Sequence, residues 1–202
     1  MIQGFRNRLT PILLVLLGAL SLSACGINSV PTAEEAAKAK WADVQVQYQR
    51  RSNLIGNLVA TVKGAAKQEQ DTLVRVTEAR AKATSIQVSA DDLSDPAKVA
   101  AFSQAQGALS QSLGRLLATT EAYPELKSNQ NFLELQSQLE GTENRIAVAI
   151  RDYNEAVRAY NVRIRTFPDA IGAKLIHGAK PMTPYQATTP GAEEAPKVDF
   201  GS

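Results

Sequence analysis

The segment NFLELQSQLEGTENRIAVAIRDYNEAVRAYNVRIRTF, residues 131–167, contains the pattern that determines the fold class. Once Thr142 is included, its inward-facing residues recur at every third or fourth position, which is typical of a long helix with one buried side. These residues are Phe132, Leu135, Leu139, Ile146, Ile150, Tyr153, Val157, Tyr160, Ile164 and Phe167. The pattern predicts an all-α protein in which this helix packs on other helices and carries a buried aromatic column.

A seven-residue repeat places an arginine column beside these aromatic rings. The sequence RDYN at 151–154 recurs as RAYN at 158–161, and the next heptad adds a third arginine. The column Arg151, Arg158 and Arg165 has two interpretations. It is a solvated face, with Arg151 paired to Glu155 four residues later, or it is a strip that binds acidic partners or anionic head groups.

The first 24 residues have the features of a secretory signal peptide. Arg6 and Arg8 precede an apolar run, residues 12–22, that is about half of the roughly 20 residues needed to cross a bilayer. The run leads into LSAC, residues 22–25, which resembles the bacterial lipobox. We therefore predict that Cys25 is acylated and becomes the mature N-terminus, followed by a spacer that ends at residue 32. A single cysteine excludes a disulfide within the chain.

Processing at this site changes the charge and bears on the location. The full chain has 22 basic and 20 acidic residues, and removal of Arg6 and Arg8 makes the two counts equal. A neutral chain without lysine clusters and stacking aromatic residues lacks the pattern of a nucleic-acid-binding protein. Gly26 follows the cysteine, where an aspartate would indicate retention in the inner membrane. The sequence therefore favours a lipoprotein of the outer membrane that faces the periplasm.

The remaining chain predicts three long helices in an up-down-up antiparallel bundle, residues 33–177. The first helix is capped by Thr32 and runs to Ala83, with Gly56 as the position of a bend. The second runs from Pro96 to Tyr123 after a cap at Asp95. The third starts with a capping box at Asn131 and Glu134, and a short helix follows at 169–176. The Pro-rich tail, 178–202, is predicted to be mostly disordered, with docking onto the bundle as the alternative.

The chain lacks the residue sets that common enzyme mechanisms need. Its one histidine, His177, excludes the paired Glu-x-x-His motifs of di-iron bundles. There is no Gly-rich phosphate loop and no nucleophile elbow, and the one thiol is assigned to lipid. We therefore predict no catalytic residue, no metal and no cofactor.

One polar grouping interrupts the apolar faces. Arg50 and Arg51 on the first helix are predicted to lie level with the polar residues Glu140, Glu143 and Asn144 on the third. Because consecutive helical residues point about 100° apart, only Arg51 is expected to face inward. The grouping is either an ion pair that fixes the register of the helices or a small polar pocket that binds a ligand.

Three segments carry a resemblance to the LemA family of bacterial membrane-associated proteins. They are QVQYQRRSNLIGNLVATVKG at 45–64, LGRLLATTEAYPELKSNQNFLELQSQLEGTENRIAVAIRDYNEAVRAYNVRIRTFP at 113–168, and the closing VDF. The resemblance implies an up-and-down bundle of about four helices, attached to the membrane through its N-terminus, with no established activity. The chain departs from the family at Gly56, where proline is usual, and in having a lipobox instead of an N-terminal membrane helix.

These observations predict a lipid-anchored helical scaffold or partner-binding module of the cell envelope, without catalytic activity of its own. Its expected partners are the membrane, through the lipid, and an envelope protein that the sequence does not identify. The alternative is a ligand receptor or enzyme that uses the polar grouping between the first and third helices.

Overall fold

The computed structural model describes residues 3–65 and 69–186, with side chains for residues 28–64 and 69–186. Within these ranges the elements are α1 (Gln3–Ala65), α2 (Gln70–Ser85), a 3-10 helix (Ala90–Ser94), α3 (Pro96–Thr120), α4 (Pro124–Lys127), α5 (Gln130–Arg163) and α6 (Asp169–Leu175). The described residues contain helices and no strand. The prediction of an all-α antiparallel bundle is confirmed.

The four longest helices alternate in direction along the bundle. Near the end of α2, Arg80 bonds the carbonyl of Ser52 on α1, so α2 runs back along α1. On α3, Phe102 lies against Trp41 while Gln106 lies against Arg51, so α3 runs parallel to α1. On α5 the order is reversed, because Glu143 meets Arg51 and Arg163 meets Ser29. The bundle is therefore up-down-up-down.

The core has two apolar clusters, one towards each end of the bundle. The first, which we call the aromatic cluster, includes Trp41, Tyr48, Phe102, Tyr153 and Tyr185. The second is aliphatic, with residues such as Leu58, Leu109 and Leu116 fully or almost fully buried. At about 25 cal/mol per Å² of buried apolar surface, these clusters supply the main favourable term in folding.

The predicted first helix is in fact two helices, α1 and α2. Apolar residues continue at helical spacing through Leu73, Val76 and Ala83, so periodicity alone did not distinguish one long helix from a hairpin. α1 is continuous through Gly56, the position of the predicted bend. A Cβ at Gly56 would lie 3.2 Å from Cζ of Arg80, so the missing side chain makes room for α2.

Several predicted boundaries also differ from the structure. Thr32 does not begin a helix, since α1 already contains it and its hydroxyl bonds the carbonyl of Asn28. The cap of α5 is Asn129, whose side chain accepts from the amide of Phe132, and not Asn131. Asp95 caps α3 as predicted, by accepting from the amide of Ala97. The short helix after Pro168 is confirmed as α6.

Residues 178–186, which we call the strap, correct the prediction of a disordered tail from Gly178. The strap is extended and packs on the bundle, with Met182 and Tyr185 buried. Its prolines do not prevent docking, because an extended chain needs no helical hydrogen bonds of its own. Residues 187–202 lie outside the described residues, as do the side chains of residues 1–27, including that of Cys25.

Candidate functional site

Arg51 is the central charged residue of the bundle core. It projects inward from α1 and is only 2% exposed. Its neighbour Arg50 is exposed, as the angle between consecutive helical residues requires. A buried arginine must have hydrogen-bond acceptors around it, because an unpaired charge in the core is costly.

Partners on α3 and α5 surround the Arg51 guanidinium. Nη1 donates to the Ser110 hydroxyl at 2.9 Å and to Oε1 of Glu143 at 3.2 Å, while Nη2 donates to the side chain and carbonyl of Gln106. The guanidinium carbon lies 4.8 Å from the ring centre of Tyr48, a cation–π distance. Nε has no partner in the described residues. We call Arg51, Gln106, Ser110 and Glu143 the polar layer.

The polar layer lies between the two apolar clusters and joins all four long helices. Gln106 reaches α2 by donating to the carbonyl of Ala83 at 3.3 Å. Beside the layer, Arg80 of α2 donates to the carbonyl and hydroxyl of Ser52 on α1. A network that links each helix to its neighbours at one level is suited to fixing their register.

Two further residues of the predicted grouping do not join the layer. Glu140 is exposed and accepts from Gln136 on its own helix at 3.5 Å. Asn144 is also exposed. Glu143 itself is 44% exposed at its side chain, so the ion pair with Arg51 has one buried member and one member in contact with solvent.

A cleft of about 380 Å³ opens beside the polar layer, within the size range of small-molecule sites. It lies between α1, α3 and the segment after α2. The ring of Phe102 provides an apolar wall. The polar lining includes Gln45, Gln49, Ser52, Gln87 and Gln106. The sequence placed the alternative ligand pocket between the first and third predicted helices, which are α1 and α5, whereas no residue of α5 lines this cleft.

The strap is held by the two Tyr-Asn pairs of the heptad repeat. The amide side chain of Asn161 makes two bonds with the backbone of Met182, at 2.8 and 2.9 Å. Asn154 makes the same pair of bonds with Tyr185, at 2.9 and 2.8 Å. The hydroxyls of Tyr153 and Tyr160 donate to the carbonyls of Thr183 and Lys180. Every one of these bonds is to the strap backbone.

The spacing of the two asparagines matches the spacing of the strap residues. Seven residues of helix rise about 10.5 Å, and three residues of extended chain span about 10 Å. Residues three apart in the strap therefore meet side chains seven apart on α5. The sequence analysis found the repeat but not this role, since nothing in the repeat identifies a segment 20 to 31 residues away as its partner.

Tyr185 completes the aromatic cluster from the strap. Its hydroxyl lies 2.6 Å from the hydroxyl of Tyr48, and its ring lies near those of Trp41 and Phe102. Burial, and after it the neighbouring Tyr185 hydroxyl, raises the pKa of Tyr48 well above its usual range. Burial alone raises the pKa of Tyr153. Both hydroxyls therefore stay protonated and serve as hydrogen-bonding groups.

The predicted interaction strip Arg151, Arg158 and Arg165 lies exposed. Arg151 pairs with Asp152 at 3.3 Å and not with Glu155 as predicted. The geometry is compatible with both interpretations, a solvated face and a binding strip. Phe167, predicted to extend the aromatic column, is 77% exposed because α5 ends at Arg163, before its heptad is complete.

The described residues contain no group of three or more histidine, cysteine or acidic side chains that could hold a metal ion. None of their helices is both long and apolar enough to cross a membrane.

Fold and site together define a class, namely an all-α up-and-down bundle whose C-terminal strap is bound along one helix. The family model described as the LemA family matches residues 40–200. The chain belongs to the LemA family, which confirms the resemblance seen in the sequence. Membership supports a membrane-associated helical protein; no catalytic function is shown for it.

Three relatives illustrate the similarity. Magnetosome protein MamQ 2 of Paramagnetospirillum magneticum is 29% identical over 157 residues, which are 70% of this chain and 58% of the relative. MamQ of Magnetospirillum gryphiswaldense gives the same figures. Protein LemA of Metamycoplasma hominis is 26% identical over 124 residues, 61% of this chain and 52% of the relative. The matches thus span little more than half the length of these relatives.

Proposed function

We propose that the chain is a non-enzymatic scaffold of the cell envelope that holds a partner protein near the membrane. The observation that carries the proposal is that its buried and half-buried polar side chains are bonded to other elements of the same chain. Arg51 is bonded between α1, α3 and α5, and Asn154 and Asn161 are bonded to the strap. Side chains committed to holding elements together support a structural role rather than chemistry on a substrate.

The proposed anchor is lipid on Cys25, in a protein that faces the periplasm and, given Gly26, is sorted to the outer membrane. Val30 is fully buried in the bundle, only five residues after Cys25. The spacer between Cys25 and the bundle is therefore shorter than the predicted segment that ends at residue 32, and a lipid at Cys25 would hold the bundle directly at the membrane. Relatives named for the magnetosome rather than for a reaction are consistent with a scaffold.

Photo-crosslinking in living cells tests the scaffold. A photoreactive amino acid would replace Val74 or Val148, which are exposed on α2 and α5. We expect discrete adducts with one or a few envelope proteins. Leu116, fully buried on α3, is the matched control and should give none. If neither exposed position yields a protein adduct in membranes that contain the protein, the scaffold proposal fails.

A second candidate, a small-molecule receptor, is favoured by the cleft of about 380 Å³ beside the polar layer. Its test is the double variant Gln45→Leu with Gln49→Leu, which changes two polar side chains that line the cleft, introduced into a deletion strain. A scaffold predicts that a stably folded variant complements the deletion. A receptor predicts that the variant folds but fails to complement, and that a small molecule purifies with the parent protein only.

A further inference from the structure

An exposed apolar patch lies at the end of the bundle where α5 ends and α6 begins. It consists of Phe167, Ile171, Leu175 and Ile176, which we call the base patch. Four large apolar residues exposed within ten positions are unusual beside the scattered single ones elsewhere on this surface. They need a physical explanation.

The way α6 packs accounts for the exposure. Gly172 and Ala173 are buried, because α6 uses its small residues to lie against the bundle. Ile171 and Leu175, four positions apart, consequently share the outward face of the helix. Leu175 is 78% exposed.

The segment that carries the base patch is basic. Between residues 162 and 181 there are four basic residues, Arg163, Arg165, Lys174 and Lys180, and one acidic residue, Asp169. Asp169 is already paired, with its carboxylate 3.6 Å from Nε of Arg163. Apolar side chains bordered by arginine and lysine are the combination that binds anionic lipid surfaces.

The base patch also lies at the end of the bundle closest to the N-terminal attachment. Nη1 of Arg163 donates to the carbonyl of Ser29 at 3.2 Å. Ser29 follows Cys25 by four residues, a rise of about 6 Å along α1.

The strap leads the rest of the chain away from the patch. Lys180 lies beside Tyr160, and Tyr185 lies beside Asn154, which is further from the end of α5. Gln186 then accepts from Ser103 on α3. Gln186, the last residue that the structure describes, therefore lies well removed from α6.

We propose that the base patch lies in the membrane interface, with its apolar side chains at the boundary between head groups and acyl chains. The exposed Arg165, Lys174 and Lys180 contact anionic head groups. The bundle is then held at two points, the N-terminus and α6, and cannot rotate freely about α1. The inference rests on the N-terminal membrane attachment of the proposed function.

The test uses the full-length lipidated protein in vesicles of phosphatidylcholine mixed with phosphatidylglycerol. Leu175→Cys carries an environment-sensitive fluorophore, and Leu133→Cys, exposed at the opposite end of α5, is the matched control. We expect a blue shift and quenching by head-group spin-labelled lipids at 175 and neither at 133. Vesicles of phosphatidylcholine alone should reduce both effects at 175.

Flotation of the same samples separates this proposal from the one it rests on. Protein that does not float with the vesicles contradicts membrane attachment, and with it the inference. Protein that floats while the label at 175 remains as solvated as that at 133 contradicts the inference alone. A label at 175 that is shielded without vesicles shows that the tail or a second copy covers the patch, which also overturns it.

Discussion

At the scale of single residues, Tyr160 serves the core and the strap together. Its ring is buried among the helices and its hydroxyl donates to the carbonyl of Lys180 at 3.0 Å. Tyr160→Ala should lower the free energy of unfolding by about 3 to 4 kcal/mol, because a large aromatic ring leaves a cavity. Tyr160→Phe keeps the ring and should cost only about 1 kcal/mol for the lost bond. Urea denaturation measures both.

Phe167→Ala is the control for this pair. It removes an aromatic ring of similar size from a position that is 77% exposed. The free energy of unfolding should therefore change by no more than about 0.5 kcal/mol. If Phe167→Ala were as damaging as Tyr160→Ala, the heptad would continue past the end of α5 after all.

Tyr153 gives a prediction for alkaline pH. Burial raises the pKa of its hydroxyl, so the folded protein keeps a proton that the unfolded chain loses near pH 10. The stability this proton provides is complete below pH 10 and is lost as the pH rises towards the raised pKa. Tyr153→Phe removes this titrating group. Above pH 10 the free energy of unfolding of the variant should therefore fall less steeply than that of the parent, by up to about 1.4 kcal/mol per pH unit. Urea titrations at pH 9, 10 and 11 give the slope of the free energy of unfolding against pH for each protein. Equal slopes for the parent and the variant would contradict the prediction.

The sequence predicted whether a residue faces inward or outward correctly where the periodicity of a single helix decides it. Periodicity placed Arg51 inward, Arg50 outward, and Tyr153 and Tyr160 in the core. It failed at Phe167, since a periodic pattern does not show where the helix ends.

At the scale of elements, the strap depends on the two asparagines of α5. The amides of Met182 and Tyr185 donate to Oδ1 of Asn161 and Asn154. With Asn154→Ala and Asn161→Ala combined, these amides should exchange hydrogen at least about tenfold faster, given roughly 1 kcal/mol for each lost bond. Hydrogen exchange with mass spectrometry measures the change. Asn144→Ala, an exposed asparagine of the same helix, should leave the strap protected.

The polar layer predicts a coupling between α1 and α5. Glu143→Leu leaves the charge of Arg51 buried with only neutral hydrogen-bond acceptors around it. The free energy of unfolding should therefore fall by about 3 kcal/mol. Adding Arg51→Met removes that charge, so the double variant should recover most of the loss. A double-mutant cycle from denaturation gives the coupling energy, and Arg50→Met with Glu143→Leu serves as the control cycle. If the free-energy changes of the two single variants are additive in the Arg51 cycle, the ion pair does not couple α1 to α5.

Element-level inference from the sequence was limited by long-range contacts. Helical character, the Asp95 cap and α6 follow from local chemistry and were predicted. The reversal between α1 and α2 and the docking of the strap depend on which surfaces meet in three dimensions. The space that Gly56 leaves for Arg80 and the pairing of Asn161 with Met182 have no signature in either segment alone.

At the scale of the whole molecule, the proposed N-terminal attachment would determine how the bundle meets the membrane. Acyl chains on Cys25 would contribute about 0.8 kcal/mol for each buried methylene, so two or three chains would anchor the protein stably. The bundle begins at once after this point, since Val30 is already in the core. An anchor at residue 25 would therefore orient the whole bundle instead of tethering it loosely.

Two single substitutions at the predicted processing site separate anchoring from sorting. Cys25→Ser removes the thiol that would be acylated, so palmitate labelling should disappear and the unprocessed precursor should accumulate, held by its uncleaved apolar run 12–22. Gly26→Asp keeps the thiol, so processing and labelling should be unchanged, but the protein should move from the outer-membrane to the inner-membrane fraction of a diderm host. Palmitate labelling, immunoblotting and density-gradient fractionation provide the readouts. Unchanged labelling and normal size for Cys25→Ser would exclude lipid at this residue. Normal labelling of Gly26→Asp without any change in fraction would leave the lipid in place and contradict the sorting assignment.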